Sequence, residues 1–336
     1  MSAVTSSHHT DDKPKLLVLE LWGLGDLSLA TPFLRAAAEK FSVTLLAKPH
    51  ARELQPRFWP GVKVVPFVAP WTAFRGKYRL AEWPWRELAA LRRQLAAERF
   101  DFGVSPRHDP RDHLLLELCG VKRRLGFSRL GSAMFLTDPL DLPQSAPHRH
   151  ECWRVAAKSL GIGLPPRGEL EFSGGRAGDT VLVHSGAAQV TRVWMLERYQ
   201  GIVRRLRERG CAVQVACDAG QANWWRQAGE TGVASPQTTA ELFTLLDRAR
   251  IFIGNDSGPG HLAAISGVPT FTVFGPALPE LFAPLHPQAE WIEGKPCPFK
   301  PCYDSCHFPQ PNCLTELSEE EVWTRLQPFI ARHLGK

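Results

Sequence analysis

The chain has 336 residues, of which 44% are hydrophobic, so it is long enough to bury two hydrophobic cores of ordinary size. No run of 18 or more apolar residues occurs, which excludes a membrane-spanning helix. The net charge of +6 is uneven, because residues 1–165 contain 24 Lys/Arg against 16 Asp/Glu and residues 166–336 contain 16 against 18. This asymmetry indicates either an anionic partner for the first half or a general contribution to solubility.

A basic protein also raises the question of nucleic acid as a partner. The sequence contains no helix-turn-helix, zinc-finger or RNP pattern, so we expect no nucleic-acid binding. Residues 1–14 are polar and lack the apolar core of a signal peptide. We therefore expect a flexible tail on a cytoplasmic protein.

Apolar runs and amphipathic segments alternate after this tail, as in a doubly wound α/β domain. The predicted elements of the first half are strands near 15–21, 42–47, 62–67 and 101–104 and helices near 28–40, 82–98 and 110–119. Segment 139–166 contains five prolines around one helical stretch and is predicted to be a linker. The sequence thus predicts one domain over 15–165, with the linker from about 139, and a second over 166–336.

Two charged loops follow predicted strands of the first half. The sequence Trp-Gly-Leu-Gly-Asp at 22–26 follows the first strand, and Pro-Arg-His-Asp-Pro-Arg-Asp at 106–112 follows the fourth. Because the carboxyl ends of parallel strands share one edge, we expect Asp26 to lie near the second loop. Asp26 either acts as an acid–base carboxylate or caps the next helix, and the arginines either bind anionic groups or are solvated.

Aromatic and basic side chains alternate between residues 71 and 100. The aromatic ones are Trp71, Phe74, Tyr78, Trp83 and Trp85, and the basic ones are Arg75, Lys77, Arg79, Arg86, Arg92 and Arg93. This composition suits the headgroup region of a membrane or a lipid-linked acceptor. The leucines at 88, 91 and 95 form an ordinary core stripe on the same segment, so packing inside the protein is the alternative.

The second half repeats the alternation of strands and helices. Predicted strands lie at 180–183, 211–216, 251–253 and 269–274, and predicted helices lie at 194–209, 239–248 and 318–333. The last helix begins with Ser318 and Glu321 in the spacing of a capping box.

A glycine-rich turn at 254–264, Gly-Asn-Asp-Ser-Gly-Pro-Gly-His-Leu-Ala-Ala, separates two of these strands. A strand, such a turn and a short helix together present free backbone N–H groups and a helix N-terminus, which bind anionic phosphate. The alternative is a tight turn in which Asp256 or Ser257 only caps the helix. We interpret the segment as a ligand site.

Four cysteines, Cys297, Cys302, Cys306 and Cys313, lie within 17 residues. In a cytosolic chain such a cluster indicates either a structural Zn²⁺ or iron–sulfur site or reduced, redox-labile thiols. The spacing differs from that of common zinc ribbons, so both interpretations stay open.

The segments 22–26 and 254–264, together with Gly-Val-Pro at 267–269 and Phe-Gly-Pro at 274–276, resemble glycosyltransferase family 9, the ADP-heptose:lipopolysaccharide heptosyltransferases. The resemblance implies a GT-B fold, in which two Rossmann-like domains face each other across a cleft. It implies an inverting transferase that needs no cofactor for catalysis. The expected donor is an ADP-sugar carrying a heptose-type sugar, and the expected acceptor is the lipopolysaccharide core or a related acidic glycolipid. The enzyme would act in the cytoplasm, with peripheral contact at the inner face of the cytoplasmic membrane.

The resemblance also assigns roles to residues. Asp26 becomes the general base, and Arg107, Asp109 and Arg111 become acceptor-binding. The residues implied to bind the donor are Ser185, Gly186, Arg192, Asp256, Ser257, Gly258, Gly260 and His261. Arg192 stands where the family commonly has a lysine, and Trp194 is expected to pack in the core.

Three further features depart from the family pattern or occur in only part of it. The turn after 211–216 lacks the glutamate that touches the ribose, so Asp218 or Gln221 would substitute. Glu20 stands where a basic or small residue is common. Some family members carry a similar cysteine-rich loop.

Two other functions remain open from sequence. A GT-B-type nucleotide-sugar epimerase would share the phosphate site but would need acid–base residues around the sugar. A non-catalytic protein that binds a nucleotide sugar would leave Asp26 idle.

Overall fold

The computed structural model describes residues 13–73, 77–142, 148–172, 178–302 and 305–335. Most of the expected tail 1–14 lies outside the described residues, as do Phe74, Arg75, Pro143 and Pro147.

All paired strands are parallel, and they form two separate sheets. The first sheet has the order β3-β2-β1-β4-β5-β6 and consists of β1 (Lys15–Glu20), β2 (Ser42–Ala47), β3 (Lys63–Pro66), β4 (Phe102–Ser105), β5 (Arg123–Gly126) and β6 (Asp138–Pro139). The second has the order β11-β10-β9-β7-β8 and consists of β7 (Thr180–His184), β8 (Ala212–Ala216), β9 (Ala249–Asn255), β10 (Thr270–Phe274) and β11 (Glu290–Glu293).

Helices connect the strands. They are α1 (Leu24–Lys40), α2 (Ala51–Phe58), α3 (Trp85–Ala97), α4 (Pro110–Leu118), α5 (Arg149–Ser159), α6 (Leu196–Glu208), α7 (Ala222–Gln227), α8 (Thr239–Leu246), α9 (Gly258–Ile265), α10 (Pro279–Phe282), α11 (Asn312–Thr315) and α12 (Glu319–Leu334). None of the helices in the described ranges is long and apolar enough to cross a lipid bilayer.

The central strands are buried on both faces, as parallel sheets covered by helices require. Residues 16–19 of β1 have no exposed surface, and neither does Phe252 of β9. The continuous apolar runs predicted from the sequence are therefore the centres of the two sheets, and the α/β prediction is confirmed.

Helices from the two halves of the chain pack against each other. Helix α1 contacts α9, and α2 contacts α8. Arg57 of α2 forms an ion pair with Asp247 at 2.5 Å, and its guanidinium carbon lies 4.6 Å from the ring centroid of Phe243 on α8. One hydrophobic cluster includes buried side chains of both sheets, for example Leu16 of β1 and Phe252 of β9.

Helix α5 forms the helical stretch within the predicted linker. It packs on α1, where Trp153 stacks on Phe33 with ring centroids 4.6 Å apart. Helix α12 closes the other end of the chain with the predicted capping box, in which Ser318 and Glu321 cap each other. It packs on α6 and on the strands β9, β10 and β11.

The aromatic segment at 71–100 is divided between core and surface. Trp71 is 4% exposed, and its indole N–H donates to Asp112 at 2.8 Å. Leu91 and Leu95 are buried as the core stripe predicts, whereas Tyr78 and Trp85 are exposed.

Candidate functional site

Asp26 lies in the first turn of α1, directly after β1. The helix begins at Leu24, four residues before the predicted start, so Asp26 is a helical residue rather than part of the preceding turn. Arg107, which follows β4, donates from Nη1 to Asp26 Oδ1 at 2.9 Å. The same guanidinium lies 4.1 Å from the ring centroid of Trp22. The predicted proximity of the two loops is confirmed.

Opposing effects set the charge of Asp26. Burial raises the pKa of this carboxyl, but the guanidinium charges of Arg107 and Arg149 outweigh burial and hold the pKa below its usual range. Asp26 is therefore ionised at neutral pH and is able to accept a proton.

A second carboxyl lies beside it. Glu20, the last residue of β1, is 2% exposed, and its Oε1 accepts a hydrogen bond from the backbone N–H of Trp22 at 3.4 Å. Burial and then the charge of Asp26 raise the pKa of Glu20 to about 8. Glu20 thus holds its proton at neutral pH, next to an ionised aspartate.

Two further cations, neither of which had a predicted role, lie near these carboxyls. Lys48 follows β2, and its pKa is lowered by burial, against the charges of Asp26 and Glu20. Arg149 begins α5, inside the predicted linker, and its charge acts on both carboxyls. Lys48 comes directly after a predicted strand, so the sequence could have placed it at this edge of the sheet. Arg149 reaches the site only through the packing of α5 on α1.

The other two predicted acceptor residues bind each other. Asp109 caps α4 by accepting from the backbone N–H of Arg111, and the Arg111 side chain donates to the same carboxylate at 2.7 and 2.8 Å. Arg107 contacts Asp26 directly, whereas Asp109 and Arg111 shape the start of the neighbouring helix.

The glycine-rich turn lies at the carboxyl end of β9, and α9 begins at Gly258 with Ser257 as its N-cap residue. The amide of Asp256 donates to Val273 and that of His261 to Ser257. The other backbone N–H groups in the first turn of α9 lie at the helix N-terminus, which carries partial positive charge. The hydroxyl of Ser257 and Nδ1 of His261 are buried and lack a hydrogen-bond partner among the described residues.

Asp256 connects the turn to the region after β7. Its carboxylate lies 3.3 Å from Nη1 of Arg192 and 3.8 Å from Nε2 of His261, and its side chain is 4% exposed. The structure therefore brings three of the predicted donor residues into one charged group at the N-terminus of α9.

Asn255 organises this region, and sequence reasoning gave it no role. Its side chain is fully buried and donates to the carbonyl groups of Ser185 and Gly186. Its Oδ1 accepts from the backbone N–H of Trp194 and from the hydroxyl of Tyr199. One amide thereby joins β9 to the two segments that follow β7.

Ser185 and Gly186, which follow β7, contact residues that follow β8. The Ser185 hydroxyl donates to Gln221 and accepts from the Trp225 indole, so protein groups engage it. A Cβ on Gly186 would lie 2.4 Å from Asp218, so glycine lets that carboxylate approach. Of the two candidates for the missing glutamate, Gln221 is committed to Ser185, whereas Asp218 is exposed. Trp194 is fully buried, as predicted.

The acceptor and donor groups meet where α1 and α9 begin. A Cβ on Gly25 would lie 2.9 Å from the ring of His261, and a Cβ on Gly258 would lie 3.0 Å from Leu24. Glycine at both positions lets the two helix N-termini approach. Asp26, which follows Gly25, therefore lies beside the glycine-rich turn.

Three of the clustered cysteines lie in the loop after β11 and Cys313 lies in α11, and all four are free thiols in the structure. Burial and then the neighbouring thiols Cys306 and Cys297 raise the pKa of Cys302, and Cys313 is buried. Over the described ranges, no three His, Cys, Asp or Glu side chains are grouped as metal ligands.

Comparison with known proteins agrees with this geometry. The model of glycosyltransferase family 9 (heptosyltransferase) matches residues 88–308, about two thirds of the chain. The chain belongs to glycosyltransferase family 9. The match to the family confirms the predicted resemblance.

Individual relatives are more distant. Lipopolysaccharide heptosyltransferase 3 of Escherichia coli K12 is 27% identical over 166 residues, which are 46% of this chain and 43% of that protein. Lipopolysaccharide heptosyltransferase 1 of Pseudomonas aeruginosa is 28% identical over 170 residues, or 45% and 47% of the two chains. The chain thus matches about half the length of these curated relatives.

The similarity to solved structures extends over nearly the whole chain. The structure of the E. coli heptosyltransferase WaaC with ADP superposes with a TM-score of 0.72 at 18% identity, covering 94% of this chain and 99% of that one. The GT-B fold predicted for this sequence is therefore confirmed.

Proposed function

We propose that this chain is an inverting glycosyltransferase that moves a heptose-type sugar from an ADP-sugar to the lipopolysaccharide core or a related acidic glycolipid. It would act at the inner face of the cytoplasmic membrane. The observation that carries the proposal is the contact between Gly25 and His261, because it puts an ionised carboxylate beside a helix N-terminus suited to phosphate.

In the acceptor half of the reaction, Asp26 takes the proton of the attacking hydroxyl. The ion pair with Arg107 fixes the orientation of the carboxylate and keeps it ionised. A positioned general base of this kind contributes about 10²- to 10⁴-fold to the rate. The neighbouring cations Lys48 and Arg149 favour an acceptor with anionic groups.

In the donor half, the diphosphate lies at the N-terminus of α9, near Arg192. Negative charge grows on the leaving nucleotide as its bond to the sugar breaks, and a guanidinium with helix amides stabilises that charge. The general base Asp26 and the leaving diphosphate then lie on opposite sides of the anomeric carbon. Attack from the side of Asp26 inverts the anomeric configuration. The presence of ADP in the related WaaC structure supports adenine as the base.

The proposed reaction takes its charge stabilisation from protein groups, so we assign no cofactor to catalysis. The cysteine loop contributes Cys306 and residues 308–311 to the lining of a cavity of about 520 Å³ beside Trp194. It takes no part in the proposed chemistry.

Product analysis tests the proposal. Purified protein is incubated with ADP-, UDP- and GDP-sugars, with and without a lipopolysaccharide-core glycolipid. We expect ADP release to depend on the acceptor and the new glycosidic bond to have inverted anomeric configuration.

Each alternative gives a different result. An altered nucleotide sugar formed without acceptor would establish an epimerase. Tight ADP binding with no turnover of any donor, across a panel of glycolipids, would establish a binding protein.

A further inference from the structure

Large apolar side chains on the surface are concentrated at one edge of the first sheet. Over the described residues, eleven such side chains are exposed, and seven of them follow the carboxyl end of β3, β5 or β6. These seven are Val68, Tyr78, Leu80, Trp85, Leu130, Met134 and Leu142. Because the strands are parallel, this is the edge that carries Asp26 and Arg107.

The first group, which we name the β3 patch, consists of Val68, Tyr78, Leu80 and Trp85. Tyr78 is 76% exposed and Trp85 is 54% exposed. The indole N–H of Trp85 donates to the carbonyl of Leu80 at 2.8 Å, which holds the ring on the surface. An aromatic ring with its polar atom satisfied and its apolar body in water is typical of a contact surface.

The second group, the β5 patch, consists of Leu130 and Met134, which are 84% and 75% exposed. Leu130 has φ +51° and Gly131 has φ +79°. Ser132 fixes this loop, since its hydroxyl oxygen accepts from the backbone N–H of Arg129 and lies 2.9 Å from Nδ1 of His113. A leucine in the left-handed region that leaves most of its side chain exposed has a structural cost with little benefit to packing.

The order of strands places the two patches on either side of the acceptor residues. Strands β2, β1 and β4 lie between β3 and β5, so four strand spacings of about 4.8 Å separate the roots of the patches by roughly 19 Å. Asp26 and Arg107 follow β1 and β4, in the middle of this span. A flat surface that touched both patches would cover the acceptor side of the site.

The polar side chains around the patches are mostly basic. Residues 77–87 contain Lys77, Arg79 and Arg86 against Glu82, which pairs with Arg79, and Glu87. The exposed Arg129 lies next to Leu130 of the β5 patch. Proteins that bind anionic bilayers place apolar side chains at the boundary of the acyl chains and arginines at the level of the headgroups.

We propose that the β3 patch and the β5 patch together rest on an anionic lipid bilayer, so that the acceptor edge of the first sheet faces the membrane. This proposal rests on the proposed function, in which the acceptor is a membrane glycolipid, and it names the surface that reaches that acceptor. Both patches insert shallowly, and the sugar of the acceptor enters between them.

Vesicle sedimentation tests the surface. The full chain is mixed with vesicles of phosphatidylcholine alone or with 30% phosphatidylglycerol added. We expect binding to the anionic vesicles that weakens with salt, and a loss of about tenfold or more in partition coefficient for L130S/M134S and for L80S/W85S. A matched control is V190S/F299S, which removes two exposed apolar side chains of the second half, 83% and 46% exposed, and should bind as the wild type does.

A second measurement separates this proposal from the proposed function. ADP affinity, measured by calorimetry, should be unchanged in L130S/M134S. Transfer to an acceptor embedded in vesicles should fall, whereas transfer to a deacylated, water-soluble acceptor should match the wild type. Loss of ADP binding or of all transfer in the wild type would overturn the proposed function and leave the sedimentation result standing.

Three outcomes would overturn the membrane surface. One is equal vesicle binding by the wild type and both patch variants. Another is an equal loss in the control V190S/F299S. The third is a wild type that ignores vesicles and self-associates through these side chains, since the patches would then bind protein.

Discussion

The two sheet edges that meet at the site handle charge differently. The edge of the first sheet gathers ionisable side chains whose pKa values are shifted, among them Glu20, Asp26 and Lys48. The edge of the second carries a helix N-terminus, the Arg192–Asp256 ion pair and the Asn255 network. The first edge is thus suited to moving a proton, and the second to holding a fixed negative charge.

The largest effect should come from removing the proposed general base, Asp26. Asp26→Asn keeps the shape of the side chain but cannot accept a proton, so we expect transfer to fall by about 10²-fold or more. ADP affinity should stay nearly unchanged, because the residues after β7 and β9 that are proposed to bind the donor are not altered. Steady-state rates measure the loss of transfer, and calorimetry on the same variant measures the ADP affinity.

Asp109→Asn is the matched control, because it changes a carboxylate of the same edge that caps α4 and does not touch Asp26. It should lose far less activity. Turnover of Asp26→Asn near the wild-type rate would remove Asp26 from the mechanism.

On the donor edge, Arg192→Ala should cost roughly 2–4 kcal/mol of transition-state binding and weaken ADP binding too. The loss has two parts, because the variant deletes a positive charge and leaves the buried Asp256 carboxylate without the ion pair. Arg192→Lys should recover most of the loss. Calorimetric ADP affinities and kcat/KM values measure it.

The double variant Arg192→Ala/Asp256→Asn refines this test. If the stranded carboxylate repels the diphosphate, the double variant should bind ADP better than Arg192→Ala alone. An ADP affinity unchanged by Arg192→Ala would mean that the diphosphate is held by the turn at 254–261 without this arginine.

A smaller effect should follow from pushing the two edges apart. Gly25→Ala places a methyl group against His261, so the ring or α1 must shift, and we expect kcat to fall roughly 10- to 100-fold. Stability should not fall much, because alanine suits a helical position better than glycine. In a His261→Ala background the same change should cost little, which a double-mutant cycle of rates shows. Equal losses in both backgrounds would contradict the contact.

The smallest effect concerns Glu20 and appears as a pH dependence of stability. Its pKa is about 8 in the folded chain and near the ordinary 4.5 when unfolded, so between these values the unfolded chain releases a proton that the folded chain keeps. The wild type therefore loses free energy of unfolding as the pH rises from 4.5 to 8, and Glu20→Gln does not. We expect the advantage of the variant to grow by about 1 kcal/mol or more between pH 5 and 8 in urea titrations. A constant difference would show that folding leaves the titration of Glu20 unchanged.

The central strands and the pairing of the loops after β1 and β4 could be predicted from sequence, because continuous apolar runs and parallel topology carry that information locally. Edge elements could not. Strand β5 begins with Arg123 and Arg124, and the sequence alone does not show that β4 and β6 pair with it. The same holds for Arg149, whose place near Asp26 depends on tertiary packing of α5.

Roles within the donor motif were only partly predictable. The turn itself has a glycine pattern that indicates a phosphate site, but the bonds of Asn255 join segments 60 to 70 residues apart in the chain. Likewise, the hydrogen bond between Ser185 and Gln221 depends on the pairing of β7 with β8, so it could not be predicted from the sequence.

The hydrophobic cluster shared by the two sheets has a thermodynamic consequence. Because α1 and α9 bury apolar surface against each other, either half alone would expose part of that cluster to water. Loss of one half therefore removes stabilisation from the other, which couples their unfolding. The chain should melt in a single cooperative transition, and a ligand that stabilises the donor edge raises the melting temperature of the acceptor edge as well.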